Sequence, residues 1–260
     1  MTKLEKLKAD LRGLGELAVA FSGGADSSLL LRAAHDALGE RAIGITIRSP
    51  YMSSREIAEA VEFARAYGIR HEILELGVAE EIKNNPENRC YLCKKAVFSR
   101  LIERARELGF SRVADGTNRD DLGEYRPGLK AKEELGVLSP LMNLTKSEIR
   151  ELSRELGLPT AEKPGYACLL TRLPHGRKID ESELNLIEAA ENLLIASGYA
   201  NVRARCDRKN IKLQMPFSSM QSFLNDAKFK SIVRQLVTLG AAEVTLDLKG
   251  LREDVLHERG

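Results

Sequence analysis

Leu17-Ala18-Val19-Ala20-Phe21-Ser22-Gly23-Gly24-Ala25-Asp26-Ser27-Ser28 is the stretch that decides the fold. Its first five residues are apolar without alternation, which reads as a buried strand. Ser-Gly-Gly ends that run. A helical pattern follows (Leu29, Leu30, Ala33, Ala34, Ala37, Leu38) and stops at Gly39. A strand, a glycine turn and a helix in this order have a chemical use. Glycines allow a tight turn and a close backbone approach to a ligand. The first N–H groups of the helix lack intrahelical partners, and the helix dipole favours an anion at that end. Ser22, Ser27 and Ser28 add hydroxyl donors. Ser22, Gly23, Gly24, Asp26, Ser27 and Ser28 are therefore candidate phosphate-binding residues. The loop carries no lysine at the place where the G-x-x-x-x-G-K-[ST] loop has one.

Outward from this unit, strands are expected over 42–47, 72–76 and 112–115, with a short one at 137–138. Ser53-Ser54-Arg55-Glu56 reads as a capping box opening a helix that ends near Gly68. A second helix is expected over 93–108. A third opens at the capping box Thr145-Lys146-Ser147-Glu148 and ends at Gly157. Strands alternating with helices imply an α/β fold with a mostly parallel sheet covered on both faces. Ligands in such sheets bind at the carboxyl ends of the strands. Ser22, Arg48 and Asp115 fall there. The pattern breaks over 160–180, which carries two prolines and two glycines. The reading is a nucleotide-binding domain over 1–170 and a smaller α+β domain over 171–260 for substrate or oligomer contacts. In the second domain helices are expected over 180–197 and 218–238, and strands over 201–206, 210–215 and 242–248.

The 260 residues are 43% hydrophobic and 30% charged, with a net charge of +2. That balance is ordinary for a soluble globular protein. It gives no push toward a nucleic-acid partner. No apolar run approaches the roughly 20 residues that span a bilayer, and Met1 to Lys6 lacks an apolar signal core; a cytoplasmic protein with no membrane partner is expected. Four cysteines are too few for a disulfide scaffold in this length.

Cys90-Tyr91-Leu92-Cys93 places two thiols at a helix start, a spacing suited to one metal or cluster. Arg89, Lys94, Lys95 and the helix N-terminus are expected to favour thiolate. Cys168 lies in the loop Lys163-Pro164-Gly165-Tyr166-Ala167-Cys168, near basic groups, as a candidate nucleophile or ligand. Cys206, between Arg205 and Asp207 on a strand, reads as packing. Arg203 and Arg205 alternate on one strand face, where two guanidinium forks suit one phosphate. Glu124 and Arg126 follow a strand end and are candidates for positioning substrate or Mg²⁺.

These motifs together resemble the LarE family, ATP-dependent sulfur transferases that help make the nickel-pincer nucleotide cofactor of lactate racemase. The resemblance rests on Ser22–Ser27, a PP-loop, and on Arg89-Cys90-Tyr91-Leu92-Cys93-Lys94. It also rests on Asp115-Gly116-Thr117-Asn118, Asp120-Asp121, Glu124-Tyr125-Arg126-Pro127-Gly128 and Ser139-Pro140-Leu141. It continues through Lys163-Pro164, Cys168-Leu169, Arg172, Pro174, Gly176, and Val202-Arg203-x-Arg205. It implies a PP-loop ATP pyrophosphatase domain, with Gly116, Arg48 and Arg126 joining the nucleotide-binding set and Asp26, Glu124 and Cys168 in catalysis. It implies that ATP, with Mg²⁺, adenylates a carboxylate of pyridinium-3,5-biscarboxylate mononucleotide, and that sulfur then displaces AMP. In some members the cysteine matching Cys168 gives up its sulfur. In others three cysteines hold a [4Fe-4S] cluster whose open iron carries an extra sulfide. Cys90, Cys93 and Cys168 supply all three, so the cluster type is expected, with a sulfide donor as partner. Members form homo-oligomers, often hexamers, so a homo-oligomer is expected here. One departure concerns an acidic metal site formed in the family by a strand glutamate and a helix glutamate matching Glu191. The strand position here presents Gln214, a weaker ligand. A tRNA thiolase, a ligase with structural zinc and a non-enzymatic scaffold are the alternatives.

Overall fold

The structure, a computed structural model, describes residues 1–123 and 127–251. The chain divides into two compact units. The first comprises Met1–Ile82 and Glu87–Tyr166, the second Lys83–Pro86 and the chain from Ala167 onward.

The first unit is the expected α/β layer structure. Strands β1 (Leu17–Ala20), β2 (Ala42–Arg48), β3 (His71–Glu75) and β4 (Val113–Ala114) form a parallel sheet in the order β3-β2-β1-β4. Leu17 pairs with Ala42 on one side of β1, and Ala18 with Val113 on the other. Successive side chains on a strand face opposite ways, and β1 is buried on both faces. Leu17, Val19 and Phe21 pack with α1 (Lys3–Leu14), α2 (Ala25–Leu38) and α6 (Lys146–Glu155) through residues such as Leu11, Leu30 and Ile149. Ala18 packs with Ile43, Ile45 and Val113 against Leu101 and Ala105 of α4 (Arg89–Glu107). The central strand is therefore apolar throughout, and its chain order is reversed on β4's side. The crevice of such a sheet opens where strand order reverses, between β1 and β4.

Two more helices complete this unit, α3 (Ser54–Ala66) and α5 (Pro127–Glu134). The expected strand at 137–138 is a single parallel bridge, Ala114 to Leu138. Of the two expected capping boxes, Thr145 forms one with Glu148. Ser53 is the N-cap of α3 but makes no side-chain capping bond; Glu56 pairs with Lys163 at 3.3 Å instead. α1 went unread in the sequence, although Thr2 and Glu5 form a complete capping box and Leu4, Leu7 and Leu11 line one buried face. α4 starts four residues earlier than expected, so both Cys90 and Cys93 lie within its first two turns.

The second unit is α+β. Strands β5 (Arg203–Asp207) and β6 (Asn210–Gln214) are antiparallel, and β6 runs parallel to β7 (Glu243–Leu246). α7 (Glu181–Ala196) packs on β5, while α8 (Phe217–Asn225) and α9 (Phe229–Thr238) precede β7. Lys83–Pro86 joins this unit by hydrogen bonds: Asn85 Nδ2 donates to the Pro174 carbonyl at 2.8 Å, and the Ile179 N–H to the Lys83 carbonyl at 2.7 Å. Among the described residues no helix is long and apolar enough to cross a membrane.

Candidate active site

The phosphate loop is shaped by two glycines that tolerate no side chain. Gly23 has φ +70°, and a Cβ there would stand 3.1 Å from the Ala60 Cβ of α3. Gly116 follows β4; a Cβ there would lie 2.9 Å from the Ser27 nitrogen and 3.0 Å from the Asp26 Cβ. The β4 loop thus rides directly on the first turn of α2. Gly24 caps α2 without any side-chain bond, which leaves the helix N-terminus open to an anion. Ser22 and Ser27 hydroxyls lie 3.1 Å apart, and Ser27 Oγ donates to the Gly24 carbonyl at 3.2 Å. Ser28 is fully buried, so its hydroxyl is enclosed by the helix packing.

Asp26 faces a cation. Lys146, the first residue of α6, places Nζ 2.6 and 2.8 Å from its two carboxylate oxygens, and Asn118 Nδ2 donates to it at 3.4 Å. Behind the β4 loop, Asp115 is bound by Lys132, Thr117 and Ser139. Burial pushes the Asp115 carboxyl up, but the Lys132 ammonium and the hydrogen bonds outweigh it and hold the group below the ordinary carboxylate range. Phe21, the last residue before the loop, offers its carbonyl to the Thr46 hydroxyl at 2.7 Å; His71 Nε2 lies 2.8 Å from that hydroxyl and donates to it. Arg48 stands at the exposed end of β2 and pairs with Glu75 of β3 at 2.6 Å. Both line a cavity of about 490 Å³ at the carboxyl ends of β2 and β3, with Ser49, Pro50 and Gly77.

The cysteines divide between the units. Cys90 and Cys93 are three residues apart on α4 and so share one helix face. Cys90 is exposed; Cys93 is half-buried, its Sγ 3.5 Å from the hydroxyl of fully buried Tyr51. Burial raises the Cys93 thiol pKa and outweighs the opposing pull of the Tyr51 hydrogen bond, Lys94 and Arg89. The expectation that the basic neighbours favour thiolate does not hold for this cysteine, because desolvation exceeds their attraction. Cys168 belongs to the second unit, as N-cap of a 3₁₀ turn, Leu169–Arg172, with its carbonyl accepting from the Thr171 N–H and hydroxyl at 3.1 and 2.9 Å. Among the described residues no group of three His, Cys, Asp or Glu side chains is gathered closely enough to hold a metal ion. Glu124 and Arg126 lie outside the described residues.

In the second unit Arg172 and Glu191 form a buried ion pair, 2.9 Å from Nε to Oε1, with side-chain exposures of 2% and 1%. Glu191 also accepts the Ala204 N–H of β5 at 2.9 Å, and Arg172 reaches the Ala167 carbonyl at 3.3 Å. This pair therefore ties the turn carrying Cys168 to α7 and β5. Gln214 accepts from Arg205 Nε at 2.7 Å and donates to Asp247 at 2.8 Å. Arg203 and Arg205 share the outward face of β5. Arg205 and Lys212 line a cavity of about 340 Å³ with Asp207, Glu243 and Thr245. Cys206 points inward, and burial raises its thiol pKa to about 11.

No family model matches the chain. An uncharacterized protein of Synechocystis sp. is 37% identical over 98% of this chain and 97% of its own length. The pyridinium-3,5-bisthiocarboxylic acid mononucleotide synthase of Lactiplantibacillus plantarum is 34% identical over 99% of this chain and 94% of its own. The chain belongs to the LarE family. A tRNA-specific 2-thiouridylase of Rickettsia felis is 31% identical over 57% of this chain and 52% of its own, in keeping with the shared PP-loop fold. As a LarE protein the chain is an enzyme, an ATP-dependent sulfur transferase.

Two lysines of this LarE protein were missing from the residues singled out in the sequence. Lys146 was read only as part of a capping box, and Lys163 only as part of a motif. Neither is near the loop in sequence: 120 residues separate Lys146 from Asp26. A lysine one residue inside a capping box carries no local sign of the carboxylate it meets.

Proposed function

We propose that the chain makes a thiocarboxylate from a carboxylate of pyridinium-3,5-biscarboxylate mononucleotide at the cost of one ATP. The observation that carries this reading is the open N-terminus of α2, flanked by Ser22, Ser27, Asp26 and Lys146. The substrate carboxylate oxygen attacks the α-phosphorus, and the bond to the β-phosphate oxygen breaks, so pyrophosphate leaves with the electron pair. Sulfide then attacks the acyl carbon, the carbon–oxygen bond breaks, and AMP departs. The developing charge on pyrophosphate falls where the α2 N–H groups, the two serine hydroxyls and the Lys146 ammonium stand. The cavity beside Arg48 suits the adenosine half, because it opens at the carboxyl ends of adjacent strands.

Mg²⁺ fits Asp26, a hard carboxylate oxygen donor in the first turn of α2. Cys90, Cys93 and Cys168 are soft sulfur donors of the kind a [4Fe-4S] cluster takes. When bound, such a cluster supplies an iron with a free position for sulfide. The protein's own part is to present the Cys90–Cys93 pair on one helix face and to fix the Cys168 turn through Arg172. Arg203 and Arg205 suit the substrate phosphate. Assembly into a homo-oligomer and a location in the cytoplasm belong to this same reading.

The test is an anaerobic reaction of iron- and sulfide-reconstituted protein with ATP, Mg²⁺, sulfide and the biscarboxylate nucleotide, read by mass spectrometry. Thiolated product, pyrophosphate and an unchanged Cys168 are expected. Loss of H₂S mass at Cys168 would move the sulfur source to that residue. Pyrophosphate release only with tRNA would overturn the small-molecule reading.

A further inference from the structure

Lys163 has no role in the reaction as drawn, yet its ammonium lies at the phosphate loop. Nζ is 2.9 Å from the Gly23 carbonyl oxygen, 2.6 Å from Glu59 Oε2 and 3.3 Å from Glu56 Oε1. Its side chain is only 14% exposed. An ammonium has three N–H donors, and these three acceptors can take all of them. Unlike Lys146, then, Lys163 has no donor left over for a phosphate.

What it grips is the least constrained peptide of the loop. The Gly23–Gly24 peptide has no Cβ on either side, so sterics do little to stop it turning over. Its two polar ends are held from different sides. The N–H of Gly24 donates to Ser22 Oγ at 3.4 Å, a long and weak bond. The carbonyl of Gly23 is held by a cation, the stronger kind of bond. Glu56 and Glu59, one turn apart on α3, fix that cation in turn. Were the peptide to flip, a carbonyl oxygen would replace the N–H beside the Ser22 and Ser27 hydroxyls and would repel a phosphate there.

We propose that Lys163 is a positioning residue of the phosphate loop, which holds the Gly23 carbonyl on the α3 side so that N–H groups, and not an oxygen, meet the incoming phosphates. This rests on the reading of the loop as the ATP site.

The test measures binding of a non-hydrolysable ATP analogue with Mg²⁺ by calorimetry, alongside amide exchange of residues 22–28, in the full-length wild type, Lys163→Met, Lys163→Arg and the double variant Glu56→Gln, Glu59→Gln. Lys163→Met is expected to weaken binding about tenfold or more, the scale of one charge-assisted hydrogen bond, with faster exchange confined to the loop. Lys163→Arg, which keeps a cationic donor, should bind within about threefold of wild type, well under the 1.4 kcal/mol that a factor of ten represents. The double variant keeps the lysine and should also stay closer to wild type than Lys163→Met. If Lys163→Met binds as tightly as wild type, the inference is wrong. It is equally wrong if the double variant loses as much as Lys163→Met, since the packing on α3 would then be what matters. A wild-type protein that does not bind the analogue overturns the reading of the loop itself.

Discussion

Lys146 Nζ sits 2.6 and 2.8 Å from the two carboxylate oxygens of Asp26, across 120 residues of chain. Both side chains remain partly exposed, 32% and 25%. An ion pair so open to water adds little to stability, about 0–1 kcal/mol. Its place at the mouth of α2 points to the reaction. Lys146→Met is expected to lower kcat/KM for ATP by about 10- to 100-fold, the range of one charge-assisted bond to phosphate, with little change in Tm. Asp26→Asn should lose at least as much and should raise the Mg²⁺ concentration needed for half-maximal rate. Pyrophosphate release at varied ATP and Mg²⁺ checks both.

Gly116→Ala introduces a Cβ 2.9 Å from the Ser27 backbone nitrogen. Backbone cannot swing aside as a flexible side chain does, so the β4 loop must lift from α2. Overpacking of this kind costs about 1–3 kcal/mol. ATP affinity is expected to fall together with Tm, in contrast to Lys146→Met. Thermal melts with and without the ATP analogue distinguish the two patterns.

Arg172→Leu removes one side of the buried Arg172–Glu191 pair, and breaking such a pair costs about 3–5 kcal/mol. The double variant Arg172→Leu, Glu191→Leu removes both charges and should recover part of that loss, though the Ala204 N–H would remain without its acceptor. Urea denaturation of the four proteins gives the coupling. Non-interacting contributions that simply add would show the pair to be energetically idle.

Thiol alkylation of the apo protein should follow burial. Cys90 is exposed and reacts first; Cys206 is buried with a thiol pKa of about 11. Only the thiolate reacts, so the Cys206 rate should rise about tenfold per pH unit from neutrality until pH approaches about 11. The raised value has a stability consequence of definite sign. The folded state keeps the Cys206 proton where the unfolded chain, with its ordinary value of 9.0, has lost it. The thiol's contribution is therefore present below pH 9 and lost as pH rises toward about 11. Cys206→Ala should flatten that part of the stability profile. Peptide mapping by mass spectrometry and denaturation at several pH values read the two effects.

The α/β fold was legible because its signals are local. The β1 run is apolar at every position since both faces of a central parallel strand are covered, and the glycine turn announces its end. The Thr145 capping box was legible for the same reason and forms as read. The Ser53 box was read from equally good local signals and does not form, because Lys163 takes Glu56 away from the helix cap. Glu191 was read as matching a metal-binding position and is enclosed in a pair with Arg172. At Ser53 a partner remote in sequence outcompeted the local one.

The sequence by itself determined that a buried strand runs through a phosphate-type glycine loop into a helix, because strand periodicity and glycine placement are properties of neighbouring residues, and its motifs carry the resemblance to the LarE family. The tertiary structure alone decided which charges serve the loop. Lys146 meets Asp26, Lys163 meets the Gly23 carbonyl, and Gly116 rides on Ser27. These contacts join segments about 90 to 140 residues apart. They exist only once the strand order β3-β2-β1-β4 has brought the ends of β1 and β4 side by side.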